Sequence, residues 1–273
     1  MTSLTCLERF KQLAEERSSL LCVGLDPDPE RLPEPVPKSV AGIGGFLRKI
    51  VEATREHAIA FKPNFAFFEA LGPEGMSLLQ ALIREIRTHT PVIGDAKRGD
   101  VGPTADRYAH ALFKIFGCDA TTVTPYQGED AVRPFLTYRD RLVFVLGLTS
   151  NPGASDFQLP SLFRDVVRKV RQWNDHGNAG LVVGATRPEQ VREIRELSGP
   201  MPFLVPGVGA QGGSLEATLR DAEDGSGLPC LINASRSILY ASSGANYAEA
   251  AAHAAQDLRE QISRAKSRGS ASP

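Results

Sequence analysis

Eight short apolar runs, each followed by a stretch of helical spacing, constrain this chain more than any other feature. The runs are Leu20–Leu25, Ala58–Phe61, Pro91–Gly94, Ala120–Thr124, Leu142–Leu148, Gly180–Ala185, Pro202–Val205 and Leu231–Asn233. Near-continuous apolarity at this length predicts strands buried on both faces, as in a parallel sheet covered by helices. Between them, apolar residues recur every three or four positions. The stripes are Phe46, Leu47, Ile50, Val51; then Met76, Leu79, Leu82, Ile83, Ile86; then Tyr108, Leu112, Ile115. Val166, Val167, Val170 and Val191, Ile194, Leu197 follow, with Leu215 and Leu219 marking a short helix. Tyr247–Lys266, rich in Ala, Glu, Gln and Arg, closes the series. The connection from Tyr126 to Asp140 is the poorest helix candidate, because Pro134 interrupts it.

This alternation predicts the α/β class: a single (β/α)8 TIM barrel over residues 1–273. Residues 1–17 read as an extra N-terminal helix and 267–273 as a frayed tail. A doubly wound sheet is the main competitor, and the barrel is preferred because neither end of the series drops out. A chain of 273 residues is long enough for such a barrel. The formal net charge of -1 offers no general field to hold nucleic acid or an anionic membrane, so an anionic ligand needs a local cluster. No apolar stretch is long enough to span a bilayer, and the N-terminus is charged too early for a secretory signal. Cys6, Cys22, Cys118 and Cys230 are scattered without metal-ligand spacing. They read as core thiols in a reducing cytoplasm.

In a barrel, chemistry gathers at the C-terminal ends of the strands. Strand one ends in Asp26, strand two in Lys62-Pro63-Asn64, and strand three in Asp95-Ala96-Lys97-Arg98-Gly99-Asp100. With a period of two, Asp95 and Lys97 point to one side, and Asp100 lies beyond on the turn into the next helix. A lysine set among carboxylates suits a general acid, or a fixed cation opposing developing negative charge. The segment equally fits a solvated charged turn. Alone, Lys62 reads as a surface lysine and Asp26 as a turn residue; together with Asp95 and Lys97 they put alternating charges on three successive strand ends.

Gly207-Val208-Gly209-Ala210-Gln211-Gly212 matches a dinucleotide fingerprint, but it comes after the seventh run and lacks an acidic residue about 20 positions on. A nicotinamide site is therefore rejected. Glycine-rich backbone here still suits a phosphate, and Gln211 and Arg236 fall on the loops after strands seven and eight, where barrels often bind one. An ordinary glycine turn and a surface arginine remain the alternative. The five histidines show no ligand-like spacing.

The run Asp95-Ala-Lys97-Arg-Gly-Asp100-Val-Gly-Pro-Thr104 closely resembles the DxKxxDIGxT signature of the orotidine 5′-monophosphate decarboxylases. The resemblance extends to the LDPDP, FKPN, TSNPGA, PGVGAQGG and SRSI segments and covers nearly the whole chain, in the manner of the longer branch of that family. Val101 replaces the signature isoleucine, a mild change. The resemblance implies decarboxylation of orotidine 5′-monophosphate to uridine 5′-monophosphate, the last step of pyrimidine synthesis, with no metal and no organic cofactor. It implies Lys97, Asp95, Lys62 and Asp100 as catalytic residues. Asp26, Thr104, Ser150, Gln211 and Arg236 would bind substrate, with Ser150 at the pyrimidine edge and Gln211 and Arg236 on the phosphate. It also implies a homodimer whose sites are each completed by the partner's Asp100 and Thr104.

Two other readings stay open. A sister group of sugar-phosphate lyases shares the DxKxxD core but would need Mg2+ and an acidic ligand at the end of strand two, where this chain has Lys62. A catalytically silent barrel that binds a phosphate ligand is the second, against which the intact Asp95, Lys97 and Asp100 set argues.

Overall fold

Strand order follows chain order around a ring. In this computed structural model, residues 4–207, 214–222, 227 and 229–269 are described. The strands are β1 (Leu21–Leu25), β2 (Ala58–Pro63), β3 (Ile93–Arg98), β4 (Ala120–Val123), β5 (Leu142–Leu148), β6 (Ala179–Val183), β7 (Phe203–Pro206) and β8 (Cys230–Ala234). Each pairs in parallel with the next from β3 to β8, and β8 pairs with β1, which pairs with β2. The ring closes between β2 and β3 through two bridges, Phe61 with Val92 and Asn64 with Asp95. The fold is the expected (β/α)8 barrel.

Burial explains why these runs are strands. Every residue of β1, β2, β4 and β6 is buried, which requires cover on both faces and selects apolar side chains. The outer cover comes from helices such as Val40–Thr54, Gly72–Ile86, Phe163–Trp173 and Pro188–Ser198. Their buried residues include Phe46, Leu47, Ile50, Leu79, Leu82, Ile83, Val167, Val170, Val191 and Ile194, the stripes read from the spacing. The doubtful connection does contain a helix, Glu129–Leu136, with Pro134 inside it; burial of Ala131, Val132, Phe135 and Leu136 outweighs the lost backbone bond.

The runs and the strands agree to within two residues, apart from β3. It starts two residues later than its apolar run and continues to Arg98. Asp95 and Lys97 therefore lie within the strand rather than after it.

The N-terminal helix spans Cys6–Glu16, with Thr5 and Glu8 forming a reciprocal capping box. It buries Cys6 and Phe10. Its Arg9 reaches Asp119, at the start of β4, at 3.0 Å. The final helix runs Tyr247–Gly269, so it extends three residues into the expected tail. Among the described residues, no helix is long and apolar enough to cross a membrane. All four cysteines are buried. Burial pushes the Cys118 thiol up to about 12 and raises Cys6 well above its ordinary value.

Candidate active site

Three strand ends bring charge together at the closing seam of the barrel. Lys62 on β2 is buried, and its Nζ donates to Asp95 Oδ2 at 2.6 Å. Lys97 Nζ donates to the other oxygen, Asp95 Oδ1, also at 2.6 Å. Asp95 is buried, whereas the Lys97 side chain is about half exposed, at 49%. One carboxylate is thus clamped between a buried ammonium and one that faces the mouth. The expected alternation along β3 holds, since Asp95 and Lys97 do meet on one side.

Electrostatics fix the charge states of the inner pair. Burial opposes ionisation of Asp95, but Lys62 and Lys97 together outweigh it and hold the carboxyl well below its usual range. Burial likewise opposes a charged Lys62, and Asp95 and Asp26 outweigh it, raising the lysine above its ordinary value. Cys22, beneath them, is pushed up to about 12 by burial, with Asp95 and Asp26 adding to the rise and Lys62 opposing it.

Thr122 orients this group. Its hydroxyl donates to Asp95 Oδ1 at 2.9 Å and accepts from the Lys97 backbone N–H at 3.0 Å. Lys97 itself has φ 45°, in the left-handed region that a side chain with a Cβ adopts at a cost of about 1–2 kcal/mol. The strand bends there, and the Thr122 bond holds the bend. The reading from sequence passed over Thr122. Two adjacent threonines inside the otherwise apolar β4 were the available signal.

Asp26 follows β1, its backbone oxygen accepting from the Tyr240 hydroxyl at 3.1 Å. Its Oδ1 is shut off from solvent without a hydrogen-bond partner. Ser150 sits just past β5, packed so closely on Gly184 that a Cβ there would lie 2.7 Å from the Ser150 nitrogen. Arg236 is exposed and opens the short helix Arg236–Leu239 after β8. Gln211 lies outside the described residues. Asp100 and Thr104 do not join the Lys62–Asp95–Lys97 group. The Asp100 carboxylate accepts from the Val101 N–H at 2.8 Å, and Thr104 is exposed on the helix Gly102–His110. No three His, Cys, Asp or Glu side chains among the described residues converge as a metal site.

The chain is thus a (β/α)8 barrel with a Lys-Asp-Lys cluster at its seam, and its Asp-x-Lys-x-x-Asp run begins on β3 and ends two residues beyond it. The chain belongs to the Orotidine 5′-phosphate decarboxylase / HUMPS family, whose model matches residues 19–251. It is 47% identical over 265 residues to an orotidine 5′-phosphate decarboxylase of Roseiflexus castenholzii, covering 94% of this chain and 97% of that one. A namesake from an Azoarcus species is 48% identical over 257 residues, covering 91% and 94%. Among solved structures, Leishmania donovani OMP decarboxylase superposes with a TM-score of 0.85 at 38% identity, over 96% of this chain and 99% of that one.

Proposed function

We propose that this chain removes CO2 from orotidine 5′-monophosphate to give uridine 5′-monophosphate, by stabilising and protonating a carbanion at C6. The observation that carries this reading is the Lys62–Asp95–Lys97 cluster, with one ammonium buried and the other open to the mouth.

Loss of CO2 leaves an electron pair in the ring plane, out of conjugation with the π system. Lys97, held by Asp95 and free on its outer side, stabilises that pair and delivers a proton to C6. A fixed charge about 4 Å away at an effective dielectric near 20 is worth on the order of 4 kcal/mol, or about three decades of rate. One lysine is therefore not the whole account. Asp95 faces the substrate carboxylate, and Lys62 keeps Asp95 ionised and in place. Asp26 contacts the substrate, and Ser150 the pyrimidine edge. Arg236 and Gln211 grip the phosphate, and this remote binding energy holds the reacting geometry.

The chain acts as a homodimer in the cytoplasm, Asp100 and Thr104 reaching the partner's site. Their separation from the cluster supports this, as does the apolar rim beside them. Val101 and Tyr126, on the loops after β3 and β4, are 44% and 79% exposed, and Phe157, at the end of the short helix Ala154–Phe157 after β5, is 69% exposed. The Tyr126 and Phe157 rings lie 6.5 Å apart.

The test is the loss of orotate absorbance when purified chain meets orotidine 5′-monophosphate, with and without EDTA. Turnover that survives EDTA is expected. Turnover lost in EDTA favours a metal-dependent lyase, for which Lys62 stands where an acidic ligand is needed. Tight binding without turnover favours a silent binding barrel.

A further inference from the structure

One polar side chain on the inner wall belongs to none of the contacts described so far. Asn233 lies on β8 between Ile232 and Ala234, both buried, and is itself partly open. It pairs in register with Cys22 of β1 and with Pro206 of β7. Register neighbours in a parallel sheet face the same side, and Cys22 faces inward, toward the charges of Lys62, Asp95 and Asp26. Further up the same side of β1, a Cβ on Gly24 would collide with Ser235 Oγ, so Ser235 faces inward as well. Asn233, two residues before it, therefore lines the barrel just below the mouth.

Its Oδ1 is shut off from solvent and has no hydrogen-bond partner. Asp26 Oδ1, at the end of the adjacent strand, is in the same condition. Lys62 makes one hydrogen bond, to Asp95, although an ammonium carries three donors. Two buried acceptors on neighbouring strands thus await donors, and buried acceptors are satisfied in nearly all native sites. A bound nucleotide offers few. Its phosphate dianion has none, and its pyrimidine N–H belongs to the far edge, on the Ser150 side. The ribose hydroxyls remain.

We propose that Asn233 is a substrate-binding residue whose carboxamide holds a ribose hydroxyl beside Asp26. The inference rests on the nucleotide reading above. The amide oxygen accepts from the hydroxyl, which gives the buried Oδ1 the donor it lacks.

The experiment measures binding of uridine 5′-monophosphate and of its 2′-deoxy and 3′-deoxy analogues by calorimetry. The proteins are the wild-type chain, Asn233→Ala, and Asn233→Leu, which removes the polar ends while filling the space. Loss of one hydrogen bond should weaken the full ribonucleotide roughly tenfold in both variants. One deoxy analogue should bind wild type and variants equally, because the bond it lacks is the one removed. Unchanged ribonucleotide affinity, or an equal loss for all three ligands, overturns the proposal. Because Leu leaves no cavity, it decides the matter if the alanine variant does not fold. A wild-type chain that does not bind uridine 5′-monophosphate contradicts the nucleotide reading itself, and this proposal with it. A wild-type chain that binds and turns over, with no selective effect at position 233, sinks this proposal alone.

Discussion

Lys97 carries two demands that pull apart: its ammonium must reach the mouth, and its backbone must enter the left-handed region to place it there. Glycine adopts that conformation freely, so the two roles can be separated by substitution. Lys97→Ala should abolish turnover and stay folded. Lys97→Gly should be equally inactive yet about 1 kcal/mol more stable than the alanine variant, read from urea denaturation midpoints. Equal stability would mean that the bend at residue 97 carries no strain. Asp95 invites a second test. With Asp95 present, Lys62 is raised above its ordinary value. Its contribution is then complete below about pH 10 and is lost only as pH climbs through the raised value. Asp95→Asn removes the larger of the opposing carboxylate charges, leaving burial to pull Lys62 down against Asp26 alone. The variant should lose about 3–5 kcal/mol at neutral pH, as when a buried pair is broken. Its native state then binds fewer protons than its unfolded state, so its stability should rise with pH toward about 10, where wild type stays level. Denaturation at pH 7 and pH 9.5 distinguishes the two. At this scale the sequence was legible wherever charge followed an apolar run, which found Asp26, Lys62, Asp95 and Lys97. It was not legible for Thr122 or Asn233, because a neutral polar residue inside a strand is read only once register shows what it faces.

The elements were legible because a parallel strand buried on both faces leaves an apolar run that little else explains, and a covering helix leaves a stripe. β3 was the exception: its C-terminal half is charged, and hydropathy ended it at Gly94 although its backbone continues to Arg98. Function displaced the apolar signal there. The N-terminal helix shows another limit. Its existence was legible, but its anchor was not, since Asp119 lies more than a hundred residues away. Asp119 is buried, and its carboxylate takes Arg9 at 3.0 Å, Arg141 at 3.2 Å and the Val92 N–H at 3.0 Å. It therefore ties the helix to the starts of β3 and β4. Asp119→Ala should cost about 3 kcal/mol or more, because it leaves guanidinium groups and a buried N–H without their acceptor. A thermal melt within a degree or two of wild type would show that Asp119 does not anchor the helix.

The whole molecule proposed here is a pair of rigid barrels sharing two sites. Nothing in hydropathy spacing marks a dimer interface, and only the family resemblance pointed to one. The structure adds that Asp100 and Thr104 stand apart from the charged cluster of their own barrel. Chains carrying Lys97→Ala or Asp100→Ala should each be nearly inactive as homodimers. Co-refolding them should restore one working site per heterodimer, at most about a quarter of wild-type activity per chain for random pairing, since each constellation is divided between two rigid bodies. Heterodimers as inactive as their parents would place Asp100 in the site of its own chain.

The central claim is that this barrel exchanges a carboxylate at C6 for a proton, with Lys97 at the exchange. Running the reaction in D2O and reading the product by proton NMR tests it most directly. The account predicts uridine 5′-monophosphate carrying solvent deuterium at C6 from the wild-type chain, and no such product above the uncatalysed background from Lys97→Ala. Failure of the wild-type chain to form that product, or deuterated product from Lys97→Ala at a rate near wild type, would contradict it.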